Sequence, residues 1–112
     1  MSIDIFNKGL FELNNFPKIV EGSFDCSGNY LSNLKRSPEF INGRFDCSYN
    51  ELVTLKGSLK FVKKGFNCHN NKLTTFLYCP KINGHISAEF NILISLDYVP
   101  ENSIMLYHNF NF

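Results

Sequence analysis

The sequence predicts a mainly β solenoid: about six short parallel strands stacked one turn apart, with little or no regular helix. Three observations predict it. The chain repeats itself with a period near 21 residues, and periods of this length belong to repeat architectures. Each repeat opens with two apolar residues two apart, the spacing that puts both on one face of a strand. A repeat this short also leaves little room for a regular helix, so the return is expected to be extended or 3₁₀.

The elements follow in order. Phe24-Asp25-Cys26 returns as Phe45-Asp46-Cys47 and as Phe66-Asn67-Cys68. An asparagine column follows at Asn29, Asn50, Asn71 and Asn91, then leucines at Leu31, Leu52, Leu73 and Leu93, then Leu34, Leu55, Phe76 and Leu96. Pro17, Pro38, Leu59, Pro80 and Pro100 mark the return, and Val20, Ile41, Val62 and Ile82 form its apolar column, with Gly22, Gly43 and Gly84 two places on. Stepping back one period from Phe24 and Cys26 reaches Ile3 and Ile5. Forward of Phe66 the spacing tightens to 20, so that Ile86 takes the place of Phe and Leu106 opens the last turn. Strands are therefore expected near Ile3, Phe24, Phe45, Phe66, Ile86 and Leu106. The units use up the chain and predict one solenoid domain over residues 1–112.

Physics supports the unit. On a strand, Phe24 and Cys26 share the inward face while Ser23, Asp25 and Ser27 share the other. One turn cannot bury its own apolar face, but stacked turns can. Asn29 and its column sit where the chain leaves the strand, and an Asn amide there bonds backbone groups of its own and adjacent turns. Leu31 and Leu34 turn the corner inward, and Pro38 favours an extended return.

Written as one line, the unit is F-x-C-x-x-N-x-L-x-x-L-x-x-x-P-x-x-V-x-G-x. It resembles the leucine-rich repeat, whose signature runs L-x-L-x-x-N-x-L. The dialect, with Cys two after an aromatic and a Pro-x-x-Val-x-Gly return, is similar to small repeat proteins encoded by large tailed bacteriophages. The resemblance implies a right-handed stack, a structural asparagine ladder and a concave strand face for binding proteins. A phage-encoded chain of this kind would meet a host protein in the host cytoplasm.

Composition narrows the function. Eleven Lys and Arg against ten Asp and Glu leave a net charge of +1, too even for a protein that lives on generic phosphate attraction. No apolar run approaches the roughly 20 residues that span a bilayer, so no membrane partner is expected. Residues 1–22 carry Asp4 and Glu12 and lack the basic start and apolar core of a secretion signal. Cys26, Cys47 and Cys68 share an inward column with Ile5 and Ala88, which argues for core thiols over a disulfide or a zinc site, since zinc takes converging ligands, usually in close pairs. Buried thiols also fit a reducing cytoplasm. His69 follows Cys68, but adjacent strand residues point to opposite faces, so a Cys–His nucleophile pair is not expected. With no phosphate loop and no His-Glu-x-x-His, no enzyme, metal or cofactor is expected.

That leaves the surface. The outward middle column runs Asp4, Asp25, Asp46, Asn67, Ser87, Tyr107. It is flanked by Ser2, Ser23, Arg44, Gly65, His85, Met105 on one side and by Phe6, Ser27, Ser48, His69, Glu89, Asn109 on the other. Like charges on strands about 4.8 Å apart repel, so folding has no evident use for three stacked aspartates. Either they are solvated residues copied with the repeat, or they meet a basic partner. The candidate partner face is Asp4, Asp25, Asp46, Asn67, Arg44, Ser48, His69, His85 and Tyr107. The return side carries Lys18, Lys35, Arg36, Lys56, Lys60, Lys63, Lys64 and Lys81, an alternative contact for nucleic acid, although such lysines more often keep a surface soluble. The segment from Ile104 to Phe112 is apolar and strand-prone and ends the stack without an evident cap. Met105, Leu106, Tyr107, Phe110 and Phe112 are therefore a candidate self-association edge for a homodimer, or fold back to cap the last turn. Self-assembly into a structural protein is a further alternative.

Overall fold

The computed structural model describes residues 1–106. The chain runs through β1 (Ile3–Asp4), β2 (Ile19–Val20), β3 (Phe24–Asp25), β4 (Phe40–Ile41), β5 (Arg44–Asp46), β6 (Phe61–Val62), β7 (Gly65–Asn67), β8 (Lys81–Ile82), β9 (His85–Ser87) and β10 (Ile104–Leu106). It alternates between two sheets until β10. The front sheet has the order β1-β3-β5-β7-β9-β10 and the back sheet β2-β4-β6-β8. Every pairing is parallel. The molecule is a parallel β-solenoid, and no helix occurs among the described residues. Strands of two or three residues would not hold as an isolated pair; here each is held by the turn before and the turn after.

Register follows the comb. Phe24 lies against Phe45, Phe45 against Phe66 and Phe66 against Ile86. Their rings stack: Phe24 and Phe45 have centroids 5.5 Å apart, Phe45 and Phe66 5.9 Å. Phe16 closes the N-terminal side edge-on against Phe24. Val20, Ile41, Val62 and Ile82 line the core from the back sheet, and the two corner columns, Leu31, Leu52, Leu73 and Leu93 with Leu34, Leu55 and Phe76, are buried beside them, while Leu96 at the end of the second is exposed. The return expected to be merely extended thus pairs into a sheet of its own, because its Val/Ile column repeats in step with the front.

The last strand departs from the expected register. Met105, not Leu106, lies against Ile86, and Leu106 pairs with Ser87. Ser103 Oγ donates to the Pro100 carbonyl at 2.5 Å and Asn102 is left-handed (φ 65°). This tight turn lets the Ile104 N–H reach the Gly84 carbonyl (2.8 Å) one residue early. A slip of one residue exchanges the faces of a strand. Met105 is therefore half-buried against the core instead of outward, and Ile104 takes the outward place beside His85. Tyr107, Asn109, Phe110 and Phe112 lie outside the described residues.

The asparagine column forms the expected ladder. Asn50 Oδ1 accepts from the Leu31 N–H (2.9 Å), while its Nδ2 donates to the carbonyls of Cys26 (3.0 Å) and Cys47 (3.1 Å). Asn71 repeats this one turn on with Leu52, Cys47 and Cys68, and Asn91 with Leu73, Cys68 and Ala88. Asn29 reaches back to Ile5 and also accepts from Lys8 and Leu10. Each amide bridges two turns, and no buried side-chain N or O among the described residues lacks a partner.

Cys26, Cys47 and Cys68 are free and fully buried, and Cys79 is free and half-buried. Burial pushes all four thiols up, Cys79 to about 12. A thiol whose folded pKa is raised gives stability that is whole below its unfolded value of 9.0 and is lost as pH climbs above it. Between pH 9 and 10 the unfolded chain gains about 1 kcal/mol per ladder thiol, so urea melts should lose about 3 kcal/mol over that unit. A triple Cys→Ala variant should lack this loss; an unchanged pH profile in that variant would show that the thiols are not buried as described.

Candidate partner-binding face

The front sheet positions the predicted face. Arg44 and His85 are exposed on either side of buried Gly65. A Cβ at Gly65 would lie 3.7 Å from Arg44 Cγ, so the Arg44 side chain lies across the gap the glycine leaves. Among the described residues neither Arg44 nor His85 has a hydrogen-bond or ion-pair partner for its side chain. Asn67 is half-buried between Asp46 and Ser87.

The aspartate column is not idle in folding. Asp25 Oδ1 accepts from the Ser27 N–H (2.9 Å) and Oγ (2.6 Å), and Asp46 Oδ1 does the same for Ser48 (3.0 and 2.6 Å). Asp4 Oδ1 takes the Phe6 N–H. Each carboxylate clasps the chain where it leaves the strand, an Asx-turn contact, and these charge-assisted bonds offset the repulsion along the column. In the fifth turn donor and acceptor trade places: the Ser87 hydroxyl donates to Glu89. Ser48 is only 3% exposed and its hydroxyl is spent on Asp46, so it offers a partner nothing. Asp25 and Asp46 are half-buried and Asp4 exposed, so their outer oxygens remain on the surface.

On the return side Glu39 lies between Lys18 (3.8 Å) and Lys60 (2.8 Å), and the Lys60 hydrogen bond holds its carboxyl below the usual range. Lys56 rests over the Tyr78 ring at 5.4 Å. These contacts occupy part of the basic surface. Among the described residues no three His, Cys, Asp or Glu side chains converge as metal ligands, and no helix is long and apolar enough to cross a membrane.

The sequence reading missed a second surface. At the corner after each of the first five front strands the backbone turns through a left-handed residue: Asn7, Gly28, Tyr49, Asn70 and Phe90, with φ from 53° to 68°. Gly and Asn adopt this conformation readily, whereas a residue with a bulky side chain gives up roughly 1–2 kcal/mol. Gly28 and the two asparagines in one column were the signal for a left-handed corner, against which Tyr49 and Phe90 stand out. Both rings are exposed, 60% and 75%. With Tyr30, Asn70, Glu51 and Lys72 they line a shallow groove of about 510 Å³. His69 stands edge-on to Tyr49 at 5.4 Å, and its Nδ1 lies 2.8 Å from Asn70 Oδ1. His69 thus belongs to the rim between the strand face and this groove.

No family model, curated protein or solved structure matches the chain. The class that the fold defines is the parallel β-solenoid.

Proposed function

We propose that the protein is a non-enzymatic interaction module of the leucine-rich-repeat kind, which docks one folded protein on the outward face of its front sheet. The observation that carries this reading is the pair Arg44 and His85: both project from a rigid sheet, and neither is used by the described part of the chain. Around them lie Asp4, Asp25, Asp46 and Asn67, a mixed-charge surface of the kind that steers encounter and rejects wrong partners. The step from solenoid to docking surface is by architectural analogy. The phage-like dialect of the repeat extends the proposal: the partner is a host defence or regulatory protein, met in the host cytoplasm and inhibited by occupation of its surface.

Affinity capture from host lysate tests the reading. The protein should retain one host protein, and Arg44→Glu with His85→Glu should lower recovery at least tenfold while leaving the melt in place. Equal recovery by the variant at low and high salt would reject this face. A second reading, self-assembly through the C-terminal end, is favoured by the exposed Ile92, Ile94, Tyr98 and Ile104. In that case sedimentation at tens of micromolar gives a dimer or filaments, and Phe110→Ser with Phe112→Ser returns a monomer. A monomer from the intact chain rejects self-assembly.

A further inference from the structure

The groove beside the front sheet presents two aromatic rings at a fixed pitch. Tyr49 and Phe90 occupy the same corner position two turns apart, with Asn70 on the turn between them. Strands stack about 4.8 Å apart, so equivalent positions two turns apart are separated by about 9.6 Å. A polyproline II helix rises about 3.1 Å per residue with three residues per turn, so residues i and i+3 on one edge lie about 9.3 Å apart. The two pitches agree.

The chemistry agrees as well. Tyr49 and Phe90 hold a left-handed backbone that Asn or Gly would take without strain, and they stay exposed. Arg36, Tyr78 and Tyr98 are left-handed at other corners, so strain alone does not mark a site; Tyr49 and Phe90 differ in that both exposed rings line one groove. Asn70 Oδ1 is engaged by His69 Nδ1, which leaves the Asn70 Nδ2 group as a donor at the groove. A polyproline II backbone bonds none of its own carbonyls and needs such donors from outside. The charges on the wall cancel: Lys72 Nζ and Glu51 Oε2 are 2.7 Å apart, and no other lining residue is charged. A nucleic-acid backbone calls for a surplus of cations, which this groove lacks, whereas a neutral proline-rich segment does not.

We propose that the groove binds a proline-rich peptide in the polyproline II conformation, with prolines at i and i+3 seated on Tyr49 and Phe90 and the carbonyl between them taken by Asn70. This site is separate from the Arg44–His85 face and does not rest on it.

Titration of the ¹⁵N-labelled protein with a synthetic ten-residue polyproline peptide tests the proposal. Amide shifts should move at residues 49, 70 and 90. Tyr49→Asn with Phe90→Asn should weaken binding at least tenfold while leaving the melting temperature equal or higher, because Asn suits the left-handed corner. Arg44→Glu with His85→Glu should leave peptide binding intact, which separates this site from the strand face. No shift at about 1 mM peptide, the range of a weak complex, overturns the proposal. So does binding that survives the double Asn variant, or shifts at this groove produced by an oligosaccharide or an oligonucleotide and not by the peptide.

Discussion

Phe45→Ala should cost about 3–5 kcal/mol, the range for truncating a large aromatic in a core. The ring is fully buried and stacked on both sides, with Phe24 at 5.5 Å and Phe66 at 5.9 Å, so its removal opens a void that two neighbouring turns share. Neither neighbour can relax inward without breaking its own stack. In a solenoid each turn leans only on the next, so a void in the middle also uncouples the two ends. The urea melt should therefore broaden as well as shift. Asp46→Asn, one residue on, should change stability by less than about 0.5 kcal/mol. The new amide keeps an oxygen for Ser48, and the repulsion from Asp25 is relieved. Equal large losses from both substitutions would show that the inward and outward faces are exchanged.

Much of this architecture was legible because the chain writes it several times over. The Phe and Cys columns alternate with polar residues at the period of a strand, and repetition at 21 residues turned each position into a column. The asparagine ladder was legible for the same reason. Besides the pairing of the return into a sheet, three features escaped. The last strand is set by a tight turn at Pro100–Ser103, which shortens the final unit by one residue, and column counting that aligned Leu106 with Ile86 could not sense it. The aspartates were read as a repelling stack because the strand-to-strand term was weighed and the local one was not, although Asp25-x-Ser27 and Asp46-x-Ser48 spell out the clasp. The aromatic groove depends on backbone handedness at one corner position. A side-chain pattern shows that only where Gly and Asn recur in the column, as they do at Asn7, Gly28 and Asn70.

Asn50→Ala should cost about 3–4 kcal/mol, and the reason lies in how the ladder shares its partners. The Cys26 carbonyl receives Asn29 as well as Asn50, and the Cys47 carbonyl receives Asn71 as well as Asn50, so each keeps one donor when Asn50 is cut back. The Leu31 N–H has Asn50 Oδ1 as its hydrogen-bond partner and is left bare in a buried corner. An orphaned buried donor costs about 1–3 kcal/mol, and each lost bond to a still-partnered carbonyl about 0.5–1.5. Asn50→Asp is the sharper test. It keeps the oxygen for Leu31 but loses both donor hydrogens, and it sets a carboxylate against the Cys26, Cys47 and Ser48 carbonyl oxygens, which the amide nitrogen met at 3.0, 3.1 and 3.2 Å. Burial and those carbonyls must raise its folded pKa above the unfolded value of about 3.9. The protonated form is thus the one the fold tolerates: its stability is whole below that unfolded value and drains as pH rises through the folded one. At pH 7 Asn50→Asp should melt below Asn50→Ala, and near pH 4 the order should narrow or reverse. A parallel pair of melts across that range would mean that the Asn50 amide is not a donor to the two cysteine carbonyls.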